Sequence, residues 1–151
     1  MTVVFPTVSG STGEDDDTEV AIWITNISST APVTEFKLPV KYDPTVCYYN
    51  GTSDVLDGVE VKSSSGMVTL SGKNLKLRDD TPIATLKMRA RTDSGKLSVL
   101  DSSKSAYVMT GNAYLDLEII RGTFKQMSTT NASVAVFAPR SGPAGQNQTI
   151  S

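Results

Sequence analysis

Alternation of apolar and polar positions is the dominant signal in this chain, and it is clearest between Val33 and Pro44. There Phe36, Leu38, Val40 and Tyr42 fall on one side while Glu35, Lys37 and Lys41 fall on the other, the period-two pattern of a strand with one buried face. Asp43-Pro44 ends the run, because proline has no N–H for a ladder and drives the residue before it into extended or turn geometry. The same alternation predicts a strand over 18–27, with Val20, Ile22 and Ile24 opposite Glu19, Ala21, Trp23 and Thr25. A third strong strand places Ala84, Leu86, Met88 and Ala90 inward and Thr85, Lys87, Arg89 and Arg91 outward.

Shorter apolar runs fill the rest. They lie at 2–7, 46–49, 59–62, 67–71, 75–78, 96–100, 106–109 and 113–120. The last of these sets Leu115, Leu117 and Ile119 on one face before Gly122-Thr123-Phe124 closes the folded part. Turn residues separate the runs at Ser9–Gly13, Asn50-Gly51, Ser63–Gly66, Asp79–Pro82, Asp93–Gly95 and Thr110–Asn112. Residues 54–58 are the one stretch that could hold a helical turn. Short strands with a turn about every ten residues, and no helical periodicity, predict an all-β sandwich or barrel.

At 151 residues the chain is one domain by size. Its sandwich is expected over 1–125. From Gln126 the composition turns polar and Gly/Pro-rich around a short apolar island at Val134–Phe137, which predicts an extended tail over 126–151. A net charge of −2 disfavours nucleic acid or an anionic membrane as the main partner. No window approaches the ~18 apolar residues of a membrane helix, and Met1–Pro6 lacks the charged and apolar regions of a signal peptide. The expectation is a chain that neither spans a membrane nor carries its own export signal.

Catalytic chemistry is narrowed by what the chain lacks. With no histidine, Ser-His-Asp and Cys-His catalysis and histidine metal sites are excluded. Cys47 is the single cysteine, so no internal disulfide forms, and it reads as a small buried apolar residue. Asp54/Asp57 and Asp79/Asp80 are the carboxylate pairs that could be nominated for glycoside hydrolysis, but both lie where Asp is simply a good turn residue. The acidic run Glu14–Asp17 lacks the spacing of an EF-hand loop and reads as a solvated loop. Four N-x-S/T triplets begin at Asn26, Asn50, Asn131 and Asn147, which a Ser/Thr-rich chain produces by chance. No catalytic, cofactor-binding or metal residue is therefore nominated. Trp23 and the Tyr48-Tyr49 pair remain as aromatic platforms for a sugar or protein, unless a loop shields Trp23. The basic row Lys87, Arg89, Arg91 is either a face for an acidic partner or a solvated sheet face.

The order of these features resembles the cohesin family, the jelly-roll sandwich modules of cellulosomal scaffolds. Val8-Ser9-Gly10 with Gly13-Glu14 is similar to the family's opening turn, Val20–Ile27 to its second strand, and Phe36–Val46 to its central strand and Tyr-Asp-Pro corner. Gly66–Gly72 and Ile83–Ala90 resemble later strands, so the likeness covers residues 2–125. It implies a cohesin-like jelly-roll β-sandwich of about nine strands. It also implies a protein partner, a dockerin, held on one open sheet face that no short motif defines. Protein-binding residues thus stay unknown at this stage.

Related sandwiches serve as carbohydrate-binding modules and as accessory domains of cell-surface and virion proteins. The leading expectation is a non-enzymatic structural or interaction module that docks onto a larger assembly through its tail. A virion (phage capsid) decoration or accessory protein is the concrete version, with a virion or extracellular surface as its location. Alternatives are a cohesin that binds a dockerin in a cellulosome-type scaffold and a carbohydrate-binding module. No cofactor is expected, and an oligomer is compatible with the reading.

Overall fold

The computed structural model describes residues 1–13 and 17–128, which form thirteen strands in two sheets and no helix. One sheet has the order β12 (Glu118–Ile120), β1 (Thr2–Val4), β3 (Thr18–Thr25), β8 (Thr81–Ala90) and β5 (Cys47–Val55). The other is centred on β4 (Glu35–Lys41), which pairs on one side with β7 (Met67–Gly72) and through it with β6 (Val59–Ser64). On its other side β4 pairs first with β10 (Tyr107–Thr110), itself joined to β11 (Ala113–Tyr114), and then with β9 (Leu97–Ser102). From β9 the sheet continues to β13 (Gly122–Gln126) and β2 (Thr7–Gly10).

The inward rows meet as the alternation predicts. Phe36, Leu38 and Val40 of β4, Val20, Ile22 and Ile24 of β3, and Ala84, Leu86, Met88 and Ala90 of β8 are all buried. Val68, Leu70 and Phe124 complete the core between the sheets. Pro39 is tolerated in the middle of β4 because the neighbour changes beside it: β10 pairs through Lys37 and β9 begins at Val40. Its carbonyl is still satisfied, accepting a 2.6 Å hydrogen bond from Ser102 Oγ.

The strand count exceeds nine in part because two expected strands are cut by events that no local pattern shows. The run over 2–7 splits at Phe5-Pro6, where the chain leaves one sheet as β1 and enters the other as β2. The run over 113–120 likewise splits into β11 and β12, in different sheets. Asn50-Gly51 is not a turn. It is a bulge inside a nine-residue β5, where the register steps from Tyr49↔Met88 to Thr52↔Leu86, and Gly51 supplies the required φ of 95°. Residues 54–58 hold the end of β5 and a turn, not a helical one. Leu75–Arg78 forms only an isolated bridge, Val33↔Leu77. At the other boundary, Gln126 ends β13 and is 1 % exposed, and Ser128 bridges to Ser94. The sandwich therefore extends three residues past 125, and the rest of the expected tail, including Val134–Phe137, lies outside the described residues.

β1 pairs with β12 in parallel and β2 with β13 in parallel, so two neighbouring segments switch sheets together. The crossing is close. Phe5 N–H donates to Ile120 O at 2.9 Å and Thr123 N–H to Pro6 O at 3.1 Å, with Gly122 in between.

At the opposite end Asp43 builds the corner after β4. Its carboxylate accepts from the Thr45 hydroxyl at 2.6 Å and the Thr45 N–H at 2.9 Å, and these bonds hold it below the ordinary carboxylate range. The Asp43 carbonyl accepts from Val46 and Cys47 N–H. Cys47 is fully buried there, and burial pushes its thiol up to about 11. The neutral form is thus favoured by folding. That stabilisation is complete below the ordinary thiol value of 9.0 and is lost as pH rises through about 11. Iodoacetamide at mildly alkaline pH is expected to spare Cys47 in the folded chain and to alkylate it in denaturant, read by mass; rapid labelling of the folded chain would contradict the buried placement.

Candidate functional site

The outer face of the sheet built on β4 carries a row of side chains across four strands: Tyr107, Lys37, Ser71 and Glu60, in register from β10 to β6. A recess of about 270 Å³ opens beside this row, lined by Glu35, Phe36, Glu60, Ser71, Lys73 and Tyr107 and floored by Gly58 and Gly72. Tyr107 Oη donates to Glu35 Oε2 at 3.1 Å, which fixes the rim and raises the phenol above its ordinary value. The Tyr107 ring also meets Tyr114 edge to face at 5.8 Å, and Tyr114 is 72 % exposed.

Further along the same face β9 inverts the usual alternation. Ser98 points inward because its hydroxyl accepts from Asp43 N–H at 2.8 Å and donates to Val99 O at 3.1 Å, tying the corner down. That anchor and Leu100, buried in the core two residues on, hold the same phase of the strand. Leu97 and Val99 are consequently turned out, 53 % and 48 % exposed, opposite Lys125 and Thr123 of β13. Among the described residues this face has one ion pair, Arg121 to Asp101 at 3.7 Å, while Lys37, Lys41, Lys62, Lys125 and Glu60 have none.

The outer face of the five-stranded sheet differs in its electrostatics. Ile120, Val4, Trp23 and Pro82 form an apolar row in register across β12, β1, β3 and β8, and Trp23 is 39 % exposed. Among the described residues no loop covers the indole fully. The basic row, in contrast, is largely satisfied within the molecule. Arg89 pairs with Asp17 at 3.2 Å, Asn50 Nδ2 donates to the same Asp17 oxygen at 3.0 Å, and these contacts hold Asp17 below the usual range. Arg91 lies 4.6 Å over the Tyr48 ring and donates to Pro44 O, which takes one face of that platform. Tyr49 packs partly buried against the core.

The two carboxylate pairs weighed for glycoside hydrolysis form no common site among the described residues. Asp80 accepts from Asn26 N–H at 3.0 Å and so steadies the left-handed turn at Asn26, φ 58°. Asp54, Asp57 and Asp79 lie at the edge of β5 and in turns, and none of them lines the recess. No described group of three or more His, Cys, Asp or Glu could hold a metal ion, and no described helix is long and apolar enough to cross a membrane. Sequence reasoning missed the β9 face, although Leu97-Ser98-Val99 carried the signal as a hydroxyl flanked by aliphatics where an apolar residue was due.

The class defined by this architecture is a two-sheet β-sandwich with a cohesin-like jelly-roll fold. The chain matches no protein-family model and no curated protein, so the likeness lies in structure. The third cohesin of ScaC from Acetivibrio cellulolyticus, solved in complex with the ScaB dockerin, superposes with a TM-score of 0.71 at 14 % identity. That match covers 84 % of this chain and 99 % of the cohesin. A non-cellulosomal cohesin from the archaeon Archaeoglobus fulgidus gives 0.68 at 16 % identity, over 89 % and 96 % of the two chains. CaCohA2 from Clostridium acetobutylicum gives 0.66 at 17 %, over 85 % and 92 %.

Proposed function

We propose that this chain is a non-catalytic module that binds a protein partner on the outer face of the β4-centred sheet. The observation that carries the reading is the pairing of an exposed aliphatic patch, Leu97 and Val99, with charged side chains that have no ion-pair partner among the described residues. Such charges are available to a partner without breaking internal contacts, and the aliphatic pair supplies a desolvated centre. The five-stranded face offers apolar surface too, but two of its three basic residues, Arg89 and Arg91, are engaged within the molecule.

Several of the similar cohesins were solved with dockerins, which makes a dockerin panel the first set of partners to test. Calorimetric titration of the full chain is expected to find a binder. Leu97→Asp with Val99→Asp should weaken it at least tenfold, about 1.4 kcal/mol, while Trp23→Ala leaves it unchanged. The reverse pattern would move the site to the other sheet. In a larger assembly, with a virion or extracellular surface as the proposed setting, residues 129–151 serve as the docking arm. Equal incorporation into particles by the full chain and by a chain ending at Ser128 would sink that part.

A further inference from the structure

We propose that Asn50 is a site of spontaneous deamidation, and that its conversion releases the contact tying Asp17 to the sheet. Asn50-Gly51 is the one Asn-Gly step in the chain. The other described asparagines precede Ile27, Leu75 and Ala113, whose side chains crowd the backbone nitrogen that must attack. Gly51 has no such side chain. Position adds to sequence: Asn50 is exposed, β5 is the edge strand of its sheet, and the bulge sets Asn50 and Gly51 together opposite Lys87. Edges and bulges open locally at lower cost than paired strands, which gives the side chain access to its neighbour's backbone.

The chemistry needs only water. The Gly51 nitrogen gives up its proton and bonds to Asn50 Cγ, the Cγ–Nδ2 bond breaks, and the nitrogen leaves as ammonia. Water then opens the five-membered imide at either carbonyl, giving aspartate or isoaspartate at position 50. The net change is one water taken up and one ammonia lost. Its consequence is electrostatic. Asn50 Nδ2 now donates to Asp17 Oδ1 at 3.0 Å, and the product puts an acceptor-only carboxylate in that place. Two carboxylates then compete for Arg89, whose Nε also reaches Asp17 at 3.2 Å.

Ageing the full chain in mildly alkaline buffer tests the proposal by peptide mass. Asn50 is expected to gain one dalton before Asn26, Asn74 or Asn112 does, several-fold faster than in Gly51→Ala. Conversion elsewhere first, or an unchanged rate in that variant, overturns the site. The consequence is read separately with Asn50→Asp, which should speed hydrogen exchange over residues 17–20 several-fold. Unaltered exchange there overturns the release of Asp17.

Discussion

Gly122→Ala is expected to be the most damaging small substitution in the described fold. A Cβ built on Gly122 would overlap the Pro6 carbonyl oxygen and lie 2.7 Å from both the Phe5 carbonyl carbon and its oxygen, all backbone atoms. Flexible side chains can step aside, but these atoms are fixed by Thr123 N–H to Pro6 O and by Phe5 N–H to Ile120 O. Relieving the clash therefore means separating the two segments where both change sheets. The cost should reach or exceed the ~3 kcal/mol at the upper end of ordinary overpacking. Gly111→Ala is the control, because its Cβ meets nothing within 4 Å although its φ is 56°. That variant should lose only the ~1–2 kcal/mol of the left-handed backbone penalty. Denaturant unfolding of both variants decides the matter, and a Gly122→Ala loss no larger than that of Gly111→Ala would refute the close crossing.

Gln126→Ala is expected to follow. The carboxamide is buried and works as a clasp: Oε1 accepts from Thr92 Oγ1 at 2.9 Å, Ser94 Oγ at 3.0 Å and Lys96 N–H at 3.2 Å, while Nε2 donates to Val46 O at 2.9 Å. One side chain thereby joins the last strand to the loop before β9 and to the residue before β5. Truncation leaves the buried Val46 carbonyl without its donor at about 1–3 kcal/mol and removes three part-buried bonds besides, at lower cost because Thr92 and Ser94 lie on exposed residues, are 2.7 Å apart and can bond each other or water. A loss of about 3 kcal/mol is expected. Gln126→Glu should also destabilise at neutral pH, since a carboxylate keeps the three acceptor bonds and cannot donate to Val46. A loss below about 1 kcal/mol in both variants would show that the clasp is redundant.

Residues whose neighbours are dictated by the strand itself were readable from the chain. The alternation in β3, β4 and β8 placed ten buried side chains, Val20 to Ala90, on the correct face, because period-two burial is a local property of a half-covered strand. What stayed hidden depends on partners distant in sequence. Phe5-Pro6 becomes a sheet switch only because Ile120–Gly122 runs alongside. Asn50-Gly51 carries the chemistry of a tight turn, yet pairing with β8 on both sides of it turns the pair into a bulge. Gln126 looks like the first residue of a polar tail until Thr92, Ser94, Lys96 and Val46 converge on it. The candidate face was hidden for the same reason, since Ser98, held inward by the Asp43 backbone, shares the inner side of β9 with Leu100 and leaves Leu97 and Val99 outside.

The parallel pairings of β1 with β12 and β2 with β13 bear on synthesis as well as on the finished fold. Thr2 lies beside Glu118 and Gly10 beside Gln126, so the first described strands are completed by the last described ones. A ribosome can release the hairpin of β6 and β7 early, but the groove that receives β13 stays empty until Gln126 has cleared the exit tunnel. Until then the nascent chain carries an uncovered core and unpaired strand edges, the state that chaperones shield and that aggregates when they do not.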